Sequence, residues 1–281
     1  MKSSFKIYSL LFVVALFLGC EVRVRNQDDG GILSRASRDT SAAFRISSRS
    51  NRDTQRDPLN ITDLESRTTI NSQVISPSSN LYEITTPLGN MRVRLYDETP
   101  IHRDNFIKMV ESGFYDGTTF HRVIGNYIIQ GGDPNSKDGD PSNDGLGGPG
   151  YTNNAEFAPS LFHKRGALAA ARQPDQVNPQ RRSSGSQFYI VLGRTYAAQE
   201  LEEAEKYVGS QIRNPNFRFS PEATDVYTRI GGIPHLDMQY TVFGELVDGF
   251  DVLDRIGATS TDGRDRPTEN IAMNIRALPA Q

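Results

Sequence analysis

Between residues 81 and 278 the chain alternates short apolar and polar runs with turn-forming residues, and this pattern is the strongest constraint on its fold. Residues 81–86 and 91–96 alternate around a Pro-Leu-Gly-Asn turn, which predicts a hairpin of two half-buried strands. Further strand-like runs occupy residues 166–171, 187–192, 240–246 and 271–278. Many short strands with turn residues between them and few helices are typical of an antiparallel β-barrel capped at its ends.

Two segments with helical character are expected to cap this barrel. The first is expected to begin after Thr99 as its N-cap, with Pro100 at its first position, where proline is well tolerated. The second is expected at residues 250–256. The apolar face of the first helix is expected to contain Ile101, Phe106, Met109 and Val110.

Three sequence blocks carry the chemistry of the chain. Residues 120–133 read FHRVIGNYIIQGGD, residues 185–190 read GSQFYI and residues 240–244 read YTVFG. With these residue types in this order, the chain resembles the cyclophilin family of peptidyl-prolyl cis-trans isomerases over residues 80–278. The resemblance implies a mainly β fold, a closed antiparallel eight-stranded barrel capped by two helices, and an activity on peptide bonds that precede proline.

The resemblance also implies roles for particular residues. Arg122 matches the family's catalytic arginine, and Gln130 matches the glutamine that orients the substrate and the arginine. The proline pocket and the peptide groove match Tyr127, Ile128, Ala171, Gln187, Tyr189, Leu236 and Tyr240. Tyr127 and Tyr189 stand where Phe is the more familiar residue; each keeps an apolar wall, and the two hydroxyls can point to water. Arg172 stands where Asn is common, a change that need not abolish binding.

Isomerisation makes and breaks no bond, so the reaction needs no nucleophile, metal or cofactor. Resonance in the C–N bond sets a barrier of ~18–20 kcal/mol. A fixed cationic donor lowers this barrier when it binds the localised nitrogen lone pair of the twisted amide better than the planar form. Arginine suits this role because its planar fork stays charged. We therefore expect neither a cofactor nor a metal, and the four histidines show no ligand spacing.

Within the domain of residues 80–279, residues 195–231 form an insertion. Residues 197–207 are rich in helix-forming residues, and Ser220 before Pro221 is typical of an N-cap. A helical hairpin on the side of the barrel is therefore predicted. Two roles stay open for it: a purely structural one, or a surface for a partner or for the substrate.

Residues 1–20 have the pattern of a secretory signal, with a basic start, an apolar run and a small residue before Cys20. The ending Leu-Gly-Cys resembles the lipobox of bacterial lipoproteins, which implies acylation of Cys20 and a lipid anchor in the cell envelope, on a periplasmic or outer face. An ordinary cleaved signal with an incidental cysteine is the alternative. Residues 21–79 are polar, with Phe44 as their only aromatic residue, and are predicted to be a disordered tether.

The charge balance argues against nucleic acid as a partner, because the net charge is −3 and no blocks of like charge occur. The expected partners are proline-containing polypeptides and, through the anchor, a membrane, with the chain acting as a monomer. An alternative is a chaperone or scaffold module that grips proline-bearing segments without needing catalysis. A structural protein or adhesin with an inactive site has little support, since no pocket position carries a disabling change.

Overall fold

The computed structural model describes residues 80–279, so the predictions for residues 1–20 and 21–79 lie outside the described residues. The strands are β1 (Leu81–Thr86), β2 (Gly89–Leu95), β3 (Arg122–Ile124), β4 (Ile128–Gly131), β5 (Thr152–Asn153), β6 (Ala167–Ala170), β7 (Ser183–Ser184), β8 (Phe188–Val191), β9 (Val242–Asp248) and β10 (Asn274–Ala277). The α-helices are α1 (Pro100–Glu111), α2 (Ala198–Gln211), α3 (Pro221–Arg229) and α4 (Phe250–Gly257). Within residues 80–279, no helix has both the length and the apolar character needed to cross a bilayer.

Eight strands form one antiparallel sheet in the order β10-β1-β2-β9-β6-β8-β4-β3, which confirms the predicted eight-stranded architecture. The prediction that the barrel is closed goes too far, because the edge strands β3 and β10 share no ladder. The seam is formed by residues that precede both strands: Thr119 bridges to Ala272, and Phe120 N donates to the Ile271 carbonyl at 3.0 Å. This pairing does not continue into a ladder between the two edge strands, and the sheet is a curled half-barrel.

The hairpin of β1 and β2 shows how sequence alternation builds the core. Tyr82 and Ile84 lie opposite Val93 and Met91 in the strand register, and all four side chains are buried. Successive side chains of a strand point to opposite faces, so the residues between them reach solvent. Phe106 of α1 and apolar side chains of α4 join the same cluster. The two predicted capping helices therefore close the core at its ends.

The start of α1 departs from its prediction in two ways. Thr99 occupies the N-cap position, but its side chain makes no hydrogen bond to the helix. Instead the Glu156 carboxylate accepts the N–H groups of Ile101 and His102, each at 3.0 Å, and so satisfies donors that a helix start leaves free. Ile101 is 45% exposed rather than buried, because His102 takes the inward position and stacks on Phe243 at 5.9 Å. The other predicted members of the apolar face are buried: Phe106, Met109 and Val110.

The insertion folds as the predicted helical hairpin of α2 and α3. Ser220 caps α3, since its hydroxyl accepts the N–H of Ala223 at 3.1 Å. Both helices pack with Phe162 in an apolar cluster that also includes Leu201, Val208 and Tyr227. In addition, α2 packs on the 3₁₀ turn Pro234–Leu236. The insertion is therefore joined to the barrel both by a core of its own and by the segment that follows it.

Two glycines meet where the insertion leaves and rejoins the barrel. Gly193 follows β8 with a φ of +65°, which L side chains rarely adopt. The next residue, Arg194, exchanges two backbone hydrogen bonds with Gly232, of 3.2 and 2.9 Å. A Cβ atom placed on Gly193 would lie 2.5 Å from the Cα atom of Gly232. This close approach of two backbones requires glycine.

We expect Gly193→Ala to lower the free energy of unfolding by at least ~1–2 kcal/mol, the cost of left-handed backbone for an L residue, with the backbone clash in addition. Urea denaturation followed by circular dichroism measures this. Gly263→Ala is the matched control, because a Cβ atom there meets nothing within 4 Å. Equal stability of the two variants would contradict the close-approach argument.

Candidate active site

Arg122 and Gln130 lie directly opposite each other on the paired strands β3 and β4. Opposed residues of an antiparallel pair share one face of the sheet, with Cβ atoms about 4.5–5.5 Å apart. The pairing of β4 with β8 sets Tyr189 opposite Gln130 on its other side. Three of the predicted site residues are therefore neighbours as a direct result of strand register.

The side-chain amide of Gln187 sets the orientation of Gln130. Gln130 Nε2 donates to Gln187 Oε1 at 3.1 Å, and Gln187 Nε2 donates to the carbonyl groups of Gly145 (3.0 Å) and Gly147 (2.8 Å). An amide nitrogen only donates, so the carbonyl oxygen of Gln130 is the atom that can accept an N–H from Arg122 or from a substrate, and the bond to Gln187 fixes the direction of that oxygen. Gln187, predicted to line the peptide groove, thus connects Gln130 to the loop that contains Gly145 and Gly147.

Arg122 is positioned by a residue that the sequence motifs do not indicate. Its Nε lies 3.5 Å from Oδ2 of Asp265, and the Asp265 carbonyl accepts the N–H of Val123 at 2.7 Å. The Arg122 side chain is 34% exposed, so the cation lies at a partly wetted surface. Asp265 belongs to a turn between α4 and β10 without any recognisable motif, and only its contact in the fold reveals it.

The residues predicted to form the proline pocket share one apolar cluster beside Arg122. Ile128, Ala171 and Tyr189 are among its buried members. Its partly buried members include Tyr127, Leu236 and Tyr240. Burial raises the pKa of Tyr127 and of Tyr240, and the Arg122 charge offsets part of both increases. The structure brings all the predicted residues into one site, and their roles stay predictions.

The hydroxyl of Tyr189 points into the protein and not to water, the direction that the sequence left open to it. It is hydrogen-bonded to Nε2 of His163 at 2.9 Å, and Nδ1 of His163 lies 2.7 Å from Oδ1 of Asp237. Oδ2 of Asp237 accepts the hydroxyl of Tyr227 at 2.7 Å. All four residues are at most 4% exposed, and buried polar groups need such partners. Because Tyr227 belongs to α3, this buried hydrogen-bond chain connects the pocket to the insertion.

No local pattern in the sequence indicates this buried chain. His163 precedes β6, Tyr227 lies in the insertion, and Asp237 follows the turn Pro234–Leu236. Their spacing matches no motif, so only the fold brings them together. Burial raises the pKa of Tyr189 and of Tyr227 well above the ordinary value, which keeps both hydroxyls protonated.

The imidazole of His235 forms the outer edge of the pocket next to Tyr127. The two rings are stacked, with centroids 5.8 Å apart and an angle of 11°, and the Tyr127 hydroxyl lies 3.4 Å from His235 Nε2. Burial, with smaller contributions from the neighbouring His163 and Arg194, lowers the pKa of His235 to about 4. The imidazole is therefore neutral near pH 7, and this edge of the pocket carries no charge.

Arg172 supports Tyr240 rather than placing a free charge in the groove. Its guanidinium carbon lies 4.5 Å from the centroid of the Tyr240 ring. Nε donates to the Gln239 carbonyl at 2.8 Å, and Nη1 donates to Asp175 at 2.6 Å. The Arg172 side chain is only 4% exposed, so it supports the Tyr240 ring from the protein interior. The departure from the family's Asn therefore leaves the pocket wall in place.

Within residues 80–279, no group of three or more His, Cys, Asp or Glu side chains is arranged to hold a metal ion. The site instead combines one arginine, one oriented amide and an apolar aromatic pocket. Such a set can hold a small apolar ring while presenting an N–H donor to a neighbouring amide group. This is the arrangement that stabilises a twisted amide over a planar one.

Comparisons with known proteins show which family the chain resembles. A family model described as "Cyclophilin type peptidyl-prolyl cis-trans isomerase/CLD" matches residues 81–277. A putative peptidyl-prolyl cis-trans isomerase of Staphylococcus aureus (strain USA300) is 32% identical over 192 residues, which are 67% of this chain and 86% of that protein. A putative bifunctional phosphatase/peptidyl-prolyl cis-trans isomerase of Streptococcus pyogenes serotype M6 is 36% identical over 196 residues. That match covers 67% of this chain but only 36% of the longer streptococcal protein.

Solved structures show the same fold. The crystal structure of a cyclophilin type peptidyl-prolyl cis-trans isomerase of Cryptosporidium parvum has a TM-score of 0.52 at 24% identity and covers 72% of this chain and 99% of its own. A structure of the same protein in the presence of the dipeptide Ala-Pro has a TM-score of 0.51 at 25% identity, covering 71% and 99%.

We expect the free energy of unfolding to decrease as the pH falls from about 6.5 towards 4. Over this range the unfolded chain binds a proton at His235, with an ordinary pKa of ~6.5, whereas the folded pKa is about 4. The loss is at most ~1.4 kcal/mol per pH unit for this one group. Urea unfolding at several pH values should therefore give a shallower slope for His235→Phe than for the wild type.

Two other buried histidines, His102 and His121, also have lowered pKa values because of burial, and they add the same slope to both proteins. Only the difference between wild type and variant reports on His235. Parallel slopes would contradict a neutral His235 in the folded chain.

Proposed function

We propose that this chain, which belongs to the cyclophilin family of peptidyl-prolyl cis-trans isomerases, speeds the folding of proteins in the cell envelope. The family's reaction is rotation about the peptide bond that precedes proline. Without a catalyst this rotation takes tens to hundreds of seconds and limits the folding of many chains. An enzyme for this step is useful wherever newly exported polypeptides fold.

The opposed pair of Arg122 and Gln130 beside the apolar pocket is the observation that carries the mechanism. The proline ring enters the pocket between Tyr127 and Tyr189, which sets its peptide bond next to Arg122. As the bond twists, the nitrogen lone pair localises and accepts an N–H from Arg122, while the carbonyl of Gln130 holds the arginine or the substrate backbone. The donor binds the twisted amide more strongly than the planar one, which lowers the barrier.

The substrates are proline-containing polypeptides, taken with little selectivity for the rest of the sequence. The pocket recognises a ring that every such substrate shares, and the oriented amides recognise backbone groups. The Cryptosporidium parvum isomerase, studied in the presence of Ala-Pro, supports a ligand of this class.

The location rests on residues 1–20 and their cysteine. An acylated Cys20 would anchor the chain to a membrane in the envelope. Residues 21–79 would connect this anchor to the domain, so that the domain can reach its client proteins. The chain would act as a monomer. The buried methylenes of an acyl chain contribute ~0.8 kcal/mol each, so several chains on one cysteine hold firmly.

Arg122→Ala tests the catalytic assignment. We expect the full chain to accelerate a proline-limited refolding reaction, and the variant to lose at least tenfold in kcat/KM, about 1.4 kcal/mol of transition-state stabilisation. Arg92→Ala is the matched control, because Arg92 is a partly exposed arginine of the same sheet that pairs with Glu83 and Asp248. We expect the control to keep the wild-type rate.

Equal rates for Arg122→Ala and the wild type would overturn the mechanism. A folded wild-type chain that binds proline peptides but accelerates nothing would instead favour the chaperone or scaffold module.

Cys20→Ser tests the location. We expect the wild type, expressed in a bacterium fed with a labelled fatty acid, to carry the label and to sediment with membranes, because acylation needs the thiol. The variant should carry no label. An unlabelled wild type that is cleaved and soluble would support the ordinary secretory signal and refute the anchor.

A further inference from the structure

Tyr207 is a large aromatic residue of α2 that lies at the mouth of the pocket rather than in the insertion's core. It is 44% exposed. Its ring meets the His235 ring edge to face, with centroids 6.4 Å apart and an angle of 74°. The His235 ring in turn stacks on Tyr127, with centroids 5.8 Å apart, so Tyr207 is linked through His235 to an outer residue of the proline pocket. The aromatic surface of the pocket therefore continues onto the insertion.

The position of α2 next to the pocket is set by contacts on several sides. The helix packs on the turn Pro234–Leu236, which carries His235 and Leu236. At its end, the Gln211 carbonyl accepts a hydrogen bond from Arg181 Nη2 at 3.3 Å. The partner helix α3 is tied to the pocket by the buried hydrogen bond from Tyr227 to Asp237, at 2.7 Å. Tyr207 is thus presented by a rigid element, which is what a binding subsite requires.

The chemistry of this surface favours an apolar guest. Its aromatic side chains are Tyr207, which contacts the imidazole of His235, and Tyr127, which stacks on the same imidazole, with Tyr240 in the same apolar cluster as Tyr127. The imidazole is neutral near pH 7. Aromatic rings prefer offset or edge-to-face partners at centroid distances of about 4.5–7 Å. A guest that covers the exposed part of Tyr207 removes its apolar surface from water.

We propose that Tyr207 forms a second subsite, which receives an aromatic or large aliphatic side chain that flanks the proline of the substrate. This inference rests on the proposed function and adds the substrate class that the isomerase prefers. The occupant is the same polypeptide whose proline fills the pocket, because the subsite is continuous with that pocket. The insertion is then a substrate-facing wall as well as a packed hairpin.

Short peptides that differ only in one residue next to proline test this subsite. One series places phenylalanine or alanine before the proline, and a second series places them after it. For the wild-type full chain we expect a higher kcat/KM with phenylalanine in at least one series. In Tyr207→Ala the ratio of the phenylalanine rate to the alanine rate should fall about three- to tenfold, the factor expected for one aromatic contact.

Two further variants separate this role from a general effect. Tyr207→Phe keeps the ring and should keep the preference. Glu202→Ala changes an exposed residue of α2 that lies away from Tyr207 on the helix, and it should leave both rates unchanged. The ratio is the decisive quantity, because a loss of stability would lower both rates together.

An unchanged ratio of the phenylalanine rate to the alanine rate in Tyr207→Ala, or a wild type without any preference, would overturn the subsite. If the alanine peptides were still turned over, the proposed isomerase activity would stand. A wild type that isomerises none of the peptides would overturn the proposed function and the subsite with it.

Discussion

The pairing of β3 with β4 sets Arg122 opposite Gln130, and the site depends on this one register. A shift of one residue would turn Arg122 to the other face of the sheet. Catalysis by a fixed donor works only when the donor is placed before the reaction begins, and side chains on strands are placed more precisely than side chains on loops. Asp265 and Gln187 then restrict the remaining freedom of the arginine and of the amide.

The insertion and the pocket are connected by the chain of buried hydrogen bonds. A polar group buried without a partner costs free energy, so the four groups from Tyr189 to Tyr227 stabilise the fold only as a complete chain. This chain fixes a wall of the proline pocket through a residue of α3. Of the two roles that the sequence leaves open for the insertion, α3 has the structural one, and our proposal gives α2 a surface for the substrate.

Local signals in the sequence predict the hairpin of β1 and β2 and the cap at Ser220, because alternation and capping act between near neighbours. The motif around Arg122 predicts the site, since its residues share two paired strands. Contacts between distant segments are not predictable in this way. Glu156 replaces Thr99 as the cap of α1, and Asp265 reaches Arg122 from a turn without a motif. The open seam is not predictable from local signals either, because the pairing of the edge strands depends on the whole sheet.

In the proposed mechanism, Arg122 acts on the twisted amide and not on the planar one. The dissociation constant of a proline peptide, measured by titration for the wild type and for Arg122→Ala, tests it most directly. We expect the dissociation constant to change by less than about threefold, because the apolar pocket holds the planar ground state. An affinity that weakens as much as the rate falls would show that the arginine contributes uniform binding, and would contradict the account.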